Sequence, residues 1–148
     1  MNIHIQEITA DNFIDAIRLR VKPEQEGFVA SNAASIAQSK FHTYLECYGI
    51  YDGDHMVGFS AFGKNPADGT IWIVRHMVAD QYQGKGYGKA GLQALIEYMQ
   101  AKYQCKTIFL DVSPENQIAI RLYENAGFKN TGKIQGHSHI FELALEHK

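Results

Sequence analysis

The sequence predicts an α/β protein whose sheet has six or seven strands. Three observations carry that prediction. Strand-length apolar runs alternate with segments of helical periodicity along the chain. Two of the runs flank an Asp52-Gly53 turn signal, as the arms of a hairpin do. The run Thr107–Val112 is apolar on both sides and lies between two helical patterns, which suits a central strand.

In chain order, Ile3, Ile5 and Ile8 make a first strand ending at Thr9. Asp11 is placed to cap a helix whose Ile14, Ile17 and Val21 share a face, and Pro23 stops it. The stretch from Pro23 to Asn32 reads as a loop carrying Glu24, Gln25, Glu26, Phe28 and Val29. A second helix starts near Ser31 or Asn32, with Ala33, Ile36, Ala37 and Phe41 inward. The hairpin runs from Tyr48 to Phe62, and a looser turn at Pro66–Gly69 leads into a strand over Ile71–Val78. Leu92, Leu95, Ile96, Met99 and Tyr103 define an amphipathic helix. After the strand Thr107–Val112, a last helix spans Asn116–Ala126 and is closed by Gly127. Two strands follow, near Phe128–Ile134 and Ser138–Leu145.

With 148 residues and 45% hydrophobic content, the chain suits a single domain over residues 1–148. A net charge of −2 supplies no drive toward nucleic acid or an anionic membrane. No apolar stretch is long enough to span a bilayer, and the first residues lack the pattern of a signal peptide. Cys47 and Cys105 form no disulfide framework and show no metal-ligand spacing. These features are compatible with the cytoplasm. The oligomeric state stays open, a homodimer among the options.

Chemistry concentrates in Gln83-Gly84-Lys85-Gly86-Tyr87-Gly88-Lys89, which follows a strand and precedes a helix. Glycines at alternate positions let successive N–H groups converge on an anion, and the helix adds its positive dipole end. Lys85 and Lys89 bring charge to the same place, so the loop reads as a phosphate or pyrophosphate cradle. A P-loop is excluded, because Ala90 follows Lys89 and Gln83 takes the first glycine position. Gly86-Tyr87-Gly88-Lys89-Ala90-Gly91 matches the dinucleotide fingerprint literally, with Asp111 about twenty residues on. The polar Asp80–Gln83 spacer and the short chain beyond Asp111 argue against that reading.

Gln83-x-x-Gly86-x-Gly88 resembles the coenzyme A pyrophosphate signature of the GNAT superfamily of N-acetyltransferases. Downstream, Asn116-x-x-Ala119-x-x-Leu122-Tyr123-x-x-x-Gly127-Phe128 resembles that superfamily's second signature. The two motifs and their strands cover roughly residues 70 to 130. The resemblance implies a GNAT-like twisted sheet, mixed and mostly antiparallel, with helices on both faces. It implies acetyl-coenzyme A as co-substrate and a small-molecule amine as acceptor. The cradle would be Gln83, Gly84, Lys85, Gly86, Tyr87, Gly88 and Lys89, with the backbones of Met77 and Val78 facing the thioester and pantetheine. Asn116 would hold the pantetheine arm, and Tyr123 would be the general acid that protonates the departing thiolate. Spacing agrees, since residues seven apart on a helix lie within about 20° in azimuth and about 10.5 Å along the axis. Outside that signature, Tyr123 would read as an ordinary core tyrosine.

The segment from Val21 to Ala37 also looks like bacterial spermine/spermidine-type acetyltransferases, and the acceptor is expected near Glu24, Glu26, Phe28 and His76. Many polyamine-acetylating relatives carry an acid on the strand before the cradle, where this chain has Val74, Arg75 and His76. The general base is therefore open among His76, Glu24, Glu26 and water. Cys105 as an acetylated nucleophile lacks an activating neighbour in sequence. His137 and His139 alternate on a strand without a third ligand, so no metal is expected. An amino-sugar antibiotic or a protein N-terminus is an alternative acceptor. A non-catalytic coenzyme A-binding sensor and a nicotinamide oxidoreductase are alternatives from other classes.

Overall fold

A computed structural model describes residues 1–28 and 31–145, apart from the side chain of Phe28. Val29 and the Phe28 side chain, both named above, thus lie outside the described structure. The elements are β1 (Ile3–Glu7), α1 (Phe13–Arg18), α2 (Asn32–Phe41), β2 (Leu45–Asp52), β3 (His55–Lys64), β4 (Ile71–Val78), α3 (Tyr87–Tyr103), β5 (Thr107–Val112), α4 (Gln117–Asn125), β6 (Lys129–Gln135) and β7 (Ser138–Ala144). Short 3-10 turns occupy Pro23–Phe28 and Asp80–Tyr82. Among the described residues, seven strands form one sheet in the order β1-β2-β3-β4-β5-β7-β6. Every neighbouring pair is antiparallel except β4 and β5.

That parallel pair is brief. β4 and β5 pair only at Trp72 with Phe109 and at Ile73 with Leu110, after which the strands diverge. The β3–β4 register slips at the same level, with Ala61 opposite Arg75 but Phe62 opposite Ile73, which leaves Val74 as an extra residue. The bulge inverts the alternation. Ile71 and Ile73 pack in the cluster with Leu92, Leu95 and Met99 of α3, whereas Met77 packs in the second cluster with Ala16 of α1. Those clusters lie on opposite faces, as Phe62 and its β3 neighbour Ala61 belong to different ones.

The α3 core face is fully buried at Leu95 and Met99, each contributing about 1.5–3 kcal/mol. Its C-terminal half is fastened to β2. The Tyr48 and Tyr98 hydroxyls share a hydrogen bond at 2.5 Å, and Glu46 accepts from Lys102 and Tyr103. This anchorage fixes where the N-terminus of α3 lies.

Several expectations need correction. β1 ends at Glu7, not Thr9, and β2 begins at Leu45, where pairing with Gly63 of β3 already holds it. The hairpin turn is Gly53-Asp54, because Asp52 pairs with His55; Gly53 takes φ +59° as the first turn residue. Asn12 rather than Asp11 stands at the head of α1, its side chain turned back to the Thr9 N–H at 2.7 Å. Helix α1 ends at Arg18, well before Pro23, which instead opens a 3-10 turn. On α2, Ser31 does cap, accepting from Ala34 N–H at 3.1 Å. Its inward face carries Asn32 and Ser35, while Phe41 is 78% exposed. The reason is polar: Asn32 donates to the Ala16 carbonyl at 2.9 Å and accepts from Arg75, so hydrogen bonds set the helix's orientation.

Candidate active site

The cradle sits where β4 hands over to α3. Gly84 and Gly86 hold φ of +79° and +88°, which L side chains rarely adopt. Ala90 N–H is the first to close a turn of α3, onto the Gly86 carbonyl at 3.1 Å. The N–H groups at 86–89 therefore have no acceptor within the helix, as an anion site at a helix N-terminus requires. Lys85 and Lys89 are exposed on its rim. Tyr87 turns elsewhere: its hydroxyl donates to Asp52 at 2.6 Å and ties the first turn of α3 to the β2–β3 turn. Gln83 donates to the Val78 carbonyl and to Gln25, each at 2.9 Å.

The ladder shows which way β4 faces. Ala79 N–H donates to Val57 O at 3.0 Å, so alternate residues Ala79 and Met77 direct their backbones at β3. Val78 directs its N–H and carbonyl the other way, into the gap left by β5. Met77 thus supplies cleft lining, and of the two expected backbones it is Val78 that faces the gap.

A cleft of about 230 Å³ runs along this gap, lined by Gln25, Val78, Gln83, Gly88, Asn116 and Tyr123 among others. A second cavity of about 200 Å³ opens between β4, β5 and α2, lined by Ser35, Gln38, Arg75, Asp111 and Ser138 among others. His76, Asn116, Ala119 and Tyr123 line both. Tyr123 is thus part of the wall between the two spaces.

Asn116 caps α4, accepting from Ala119 N–H at 3.3 Å. Tyr123 is 8% exposed and packs edge-to-face on Phe128. Burial pushes its hydroxyl up to about 12, with the Arg75 charge pulling down and Asp111 pushing further up. His76 has a different occupation from the one expected. Its Nε2 lies 3.3 Å from the Gly88 carbonyl and so donates, which makes Nδ1 the acceptor of the Ser60 hydroxyl at 2.8 Å. Burial lowers its pKa to about 4. Both ring nitrogens are engaged, and the histidine braces β3, β4 and α3 rather than offering a free lone pair. Glu24 and Glu26 are both exposed, and Glu26 also lines a further cavity with Asn32 and Arg75. Burial raises the Cys105 thiol, the reverse of an activated nucleophile. His137 sits in the turn before β7 and bonds to Glu115 at 2.8 Å. Sequence reasoning missed Gln25, Asn32, Ser60, Arg75 and Asp111 as site residues, since tertiary placement brings them here. The bulge turns Arg75, the open strand pair uncovers Asp111, strand pairing sets Ser60 opposite His76, and Gln25 and Asn32 come from the 3-10 turn and α2.

Comparison with known proteins agrees with this geometry. Residues 10–128 match the acetyltransferase (GNAT) family, and the chain belongs to it. It is an acetyl-coenzyme A-dependent N-acetyltransferase. It is 34% identical over 140 residues to the spermine/spermidine N(1)-acetyltransferase of Bacillus subtilis (strain 168), covering 90% of this chain and 92% of that protein. The fold is shared with the Vibrio cholerae spermidine N-acetyltransferase solved with coenzyme A and spermine, at TM-score 0.76 and 16% identity over 97% and 95% of the two chains. An aminoglycoside acetyltransferase solved with coenzyme A gives TM-score 0.80 at 17% identity over 97% and 95%. Among the described residues no helix is long and apolar enough to cross a membrane.

Proposed function

We propose that this protein acetylates a primary amine of a small polyamine by direct transfer within a ternary complex. The observation that carries the reading is that Tyr123 lines two cavities, one on the cradle side and one on the α2 side. The N–H groups at 86–89, which have no acceptor within the helix, suit a pyrophosphate, and the narrow cleft beside Val78 suits a pantetheine arm held by Asn116. A thioester carbonyl at the head of that arm would meet the Val78 N–H, a donor fixed before the reaction begins. The acceptor enters through the second cavity, so orientation supplies much of the rate. Tyr123 gives its proton to the departing sulfur.

With both His76 nitrogens engaged, the incoming ammonium loses its proton to water, near the carboxylate of Asp111. Polyamines are favoured over other amines by the relative that matches along nearly the whole chain. Glu26, which lines a cavity with Arg75, and more weakly Glu24 attract the distal ammonium. The two thiols, which are free, support placing the enzyme in the cytoplasm. The test is coenzyme A release over a panel of spermine, spermidine, an aminoglycoside, a peptide N-terminus and a monoamine. Turnover ranked highest for the polyamines supports the reading; turnover confined to another acceptor replaces it.

A further inference from the structure

Arg75 is a buried cation that the chemistry above leaves unused. It is 7% exposed, and among the described residues its Nη1 takes no hydrogen-bond partner and no carboxylate lies within ion-pair distance. Its Nε donates to Asn32 Oδ1 at 2.9 Å. Asn32, itself 3% exposed, is held by its own donation to the Ala16 carbonyl. Two elements thus cooperate to keep a guanidinium, unneutralised, in the wall of the cavity that Tyr123 also lines. An unpaired buried charge is costly, and folding retains one only where something compensates. The bulge at Val74 is what turns Arg75 to this side.

We propose that Arg75, positioned by Asn32, is the standing counter-charge for the tyrosinate that Tyr123 becomes when it acts as acid. This rests on the proposed role of Tyr123. The amine nitrogen bonds to the acetyl carbon, the carbon–sulfur bond breaks, and the sulfur takes the Tyr123 proton. The proton released by the amine returns through water to the tyrosinate, which balances the cycle. A phenol is a weaker acid than a thiol, whose ordinary value is about 8.5, and burial weakens Tyr123 further. A fixed positive charge in the wall of the same cavity offsets that handicap; Asp111, on the other wall, opposes it. Neither Arg75 nor Asn32 touches the reacting atoms, and both act through the tyrosine.

The experiment is a double-mutant cycle on kcat at saturating substrates. Arg75→Gln should lower kcat about 10–100-fold, the scale of one charge at an effective dielectric of about 20, with KM for acetyl-coenzyme A little changed. In a Tyr123→Phe background the same substitution should cost less than about twofold. Arg75→Lys should restore most of the loss. With a fluorotyrosine at position 123, whose phenol is the stronger acid, Arg75→Gln should raise the pKa read by fluorine NMR by about one to two units. If Arg75→Gln fails to fold, Asn32→Asp serves, since a carboxylate beside the guanidinium should neutralise it and raise the same pKa. Equal losses in both backgrounds, or an unmoved fluorotyrosine pKa, would overturn the proposal. An unchanged kcat in Tyr123→Phe alone would instead remove the acid role on which it rests.

Discussion

Gln83 donates its side-chain amide to the carbonyl of Val78 at 2.9 Å, so the first residue of the cradle motif grips the strand backbone that faces the cleft. The same amide reaches Gln25, which brings the 3-10 turn before α2 to the same point. Motif, strand and acceptor-side loop are joined through one side chain.

Gln83→Ala removes both bonds. Each is worth about 0.5–1.5 kcal/mol, and the Val78 carbonyl is left to water. We expect KM for acetyl-coenzyme A to rise about tenfold or more, the exchange value of about 1.4 kcal/mol. Initial-rate kinetics with acetyl-coenzyme A varied at fixed amine give the result directly.

Gly86→Val is expected to weaken acetyl-coenzyme A binding while leaving acceptor preference intact. Space is not the obstacle within the protein: a Cβ there would meet only Met1 Cε, at 3.9 Å. The obstacle is φ +88°, where a β-branched residue costs about 1–3 kcal/mol and is relieved by collapsing the cradle. Calorimetric titration with acetyl-coenzyme A should show the loss; parent-like affinity would put the anion site elsewhere.

His76 makes stability pH-dependent. Its folded pKa of about 4 lies below the ordinary 6.5, so between these values the unfolded chain binds more protons. Stability from this residue is full above about pH 6.5 and is lost as pH falls through about 4, at most about 3 kcal/mol and less because the residue is half-buried. His76→Gln should flatten the slope of Tm against pH in that window. Because the ring is a brace, the variant should also keep kcat within about tenfold, where loss of a general base typically costs about 10²–10⁴-fold.

Strands β4 and β5 were legible to the residue, because apolar runs with polar or proline boundaries are local signals. The glycine-rich turn before α3 and the helix that carries Tyr123 were legible too, from glycine spacing and helical periodicity. Arg75 was not. On a regular strand it would share a face with Ile71 and Ile73, and only the register slip at Val74 reverses it. The face of α2 was misread in part: Ile36 packs on the core as its spacing says, but Asn32 and Ser35 are buried too, Asn32 for its hydrogen bonds, while Phe41 is exposed. Asp111 reads from sequence as one polar residue in an apolar strand; the divergence of β4 from β5 makes it a cavity wall.

Charge near the acceptor yields a salt-dependent expectation. Glu24 and Glu26 are both exposed, and Glu26 in addition lines a cavity beside Arg75. Glu26→Gln should therefore raise KM for spermine several-fold and Glu24→Gln less, with smaller effects on a monoamine. Exposed pairs contribute about 1 kcal/mol or less and are screened, so the spermine effect should shrink when KM is measured in high salt.

Direct transfer to a polyamine is tested most directly by thiol release with acetyl-coenzyme A and spermine both varied. A ternary complex predicts spermine-dependent release and double-reciprocal lines that intersect. Parallel lines would indicate an acetylated enzyme in place of the two-sided site, and release independent of spermine would contradict the acceptor.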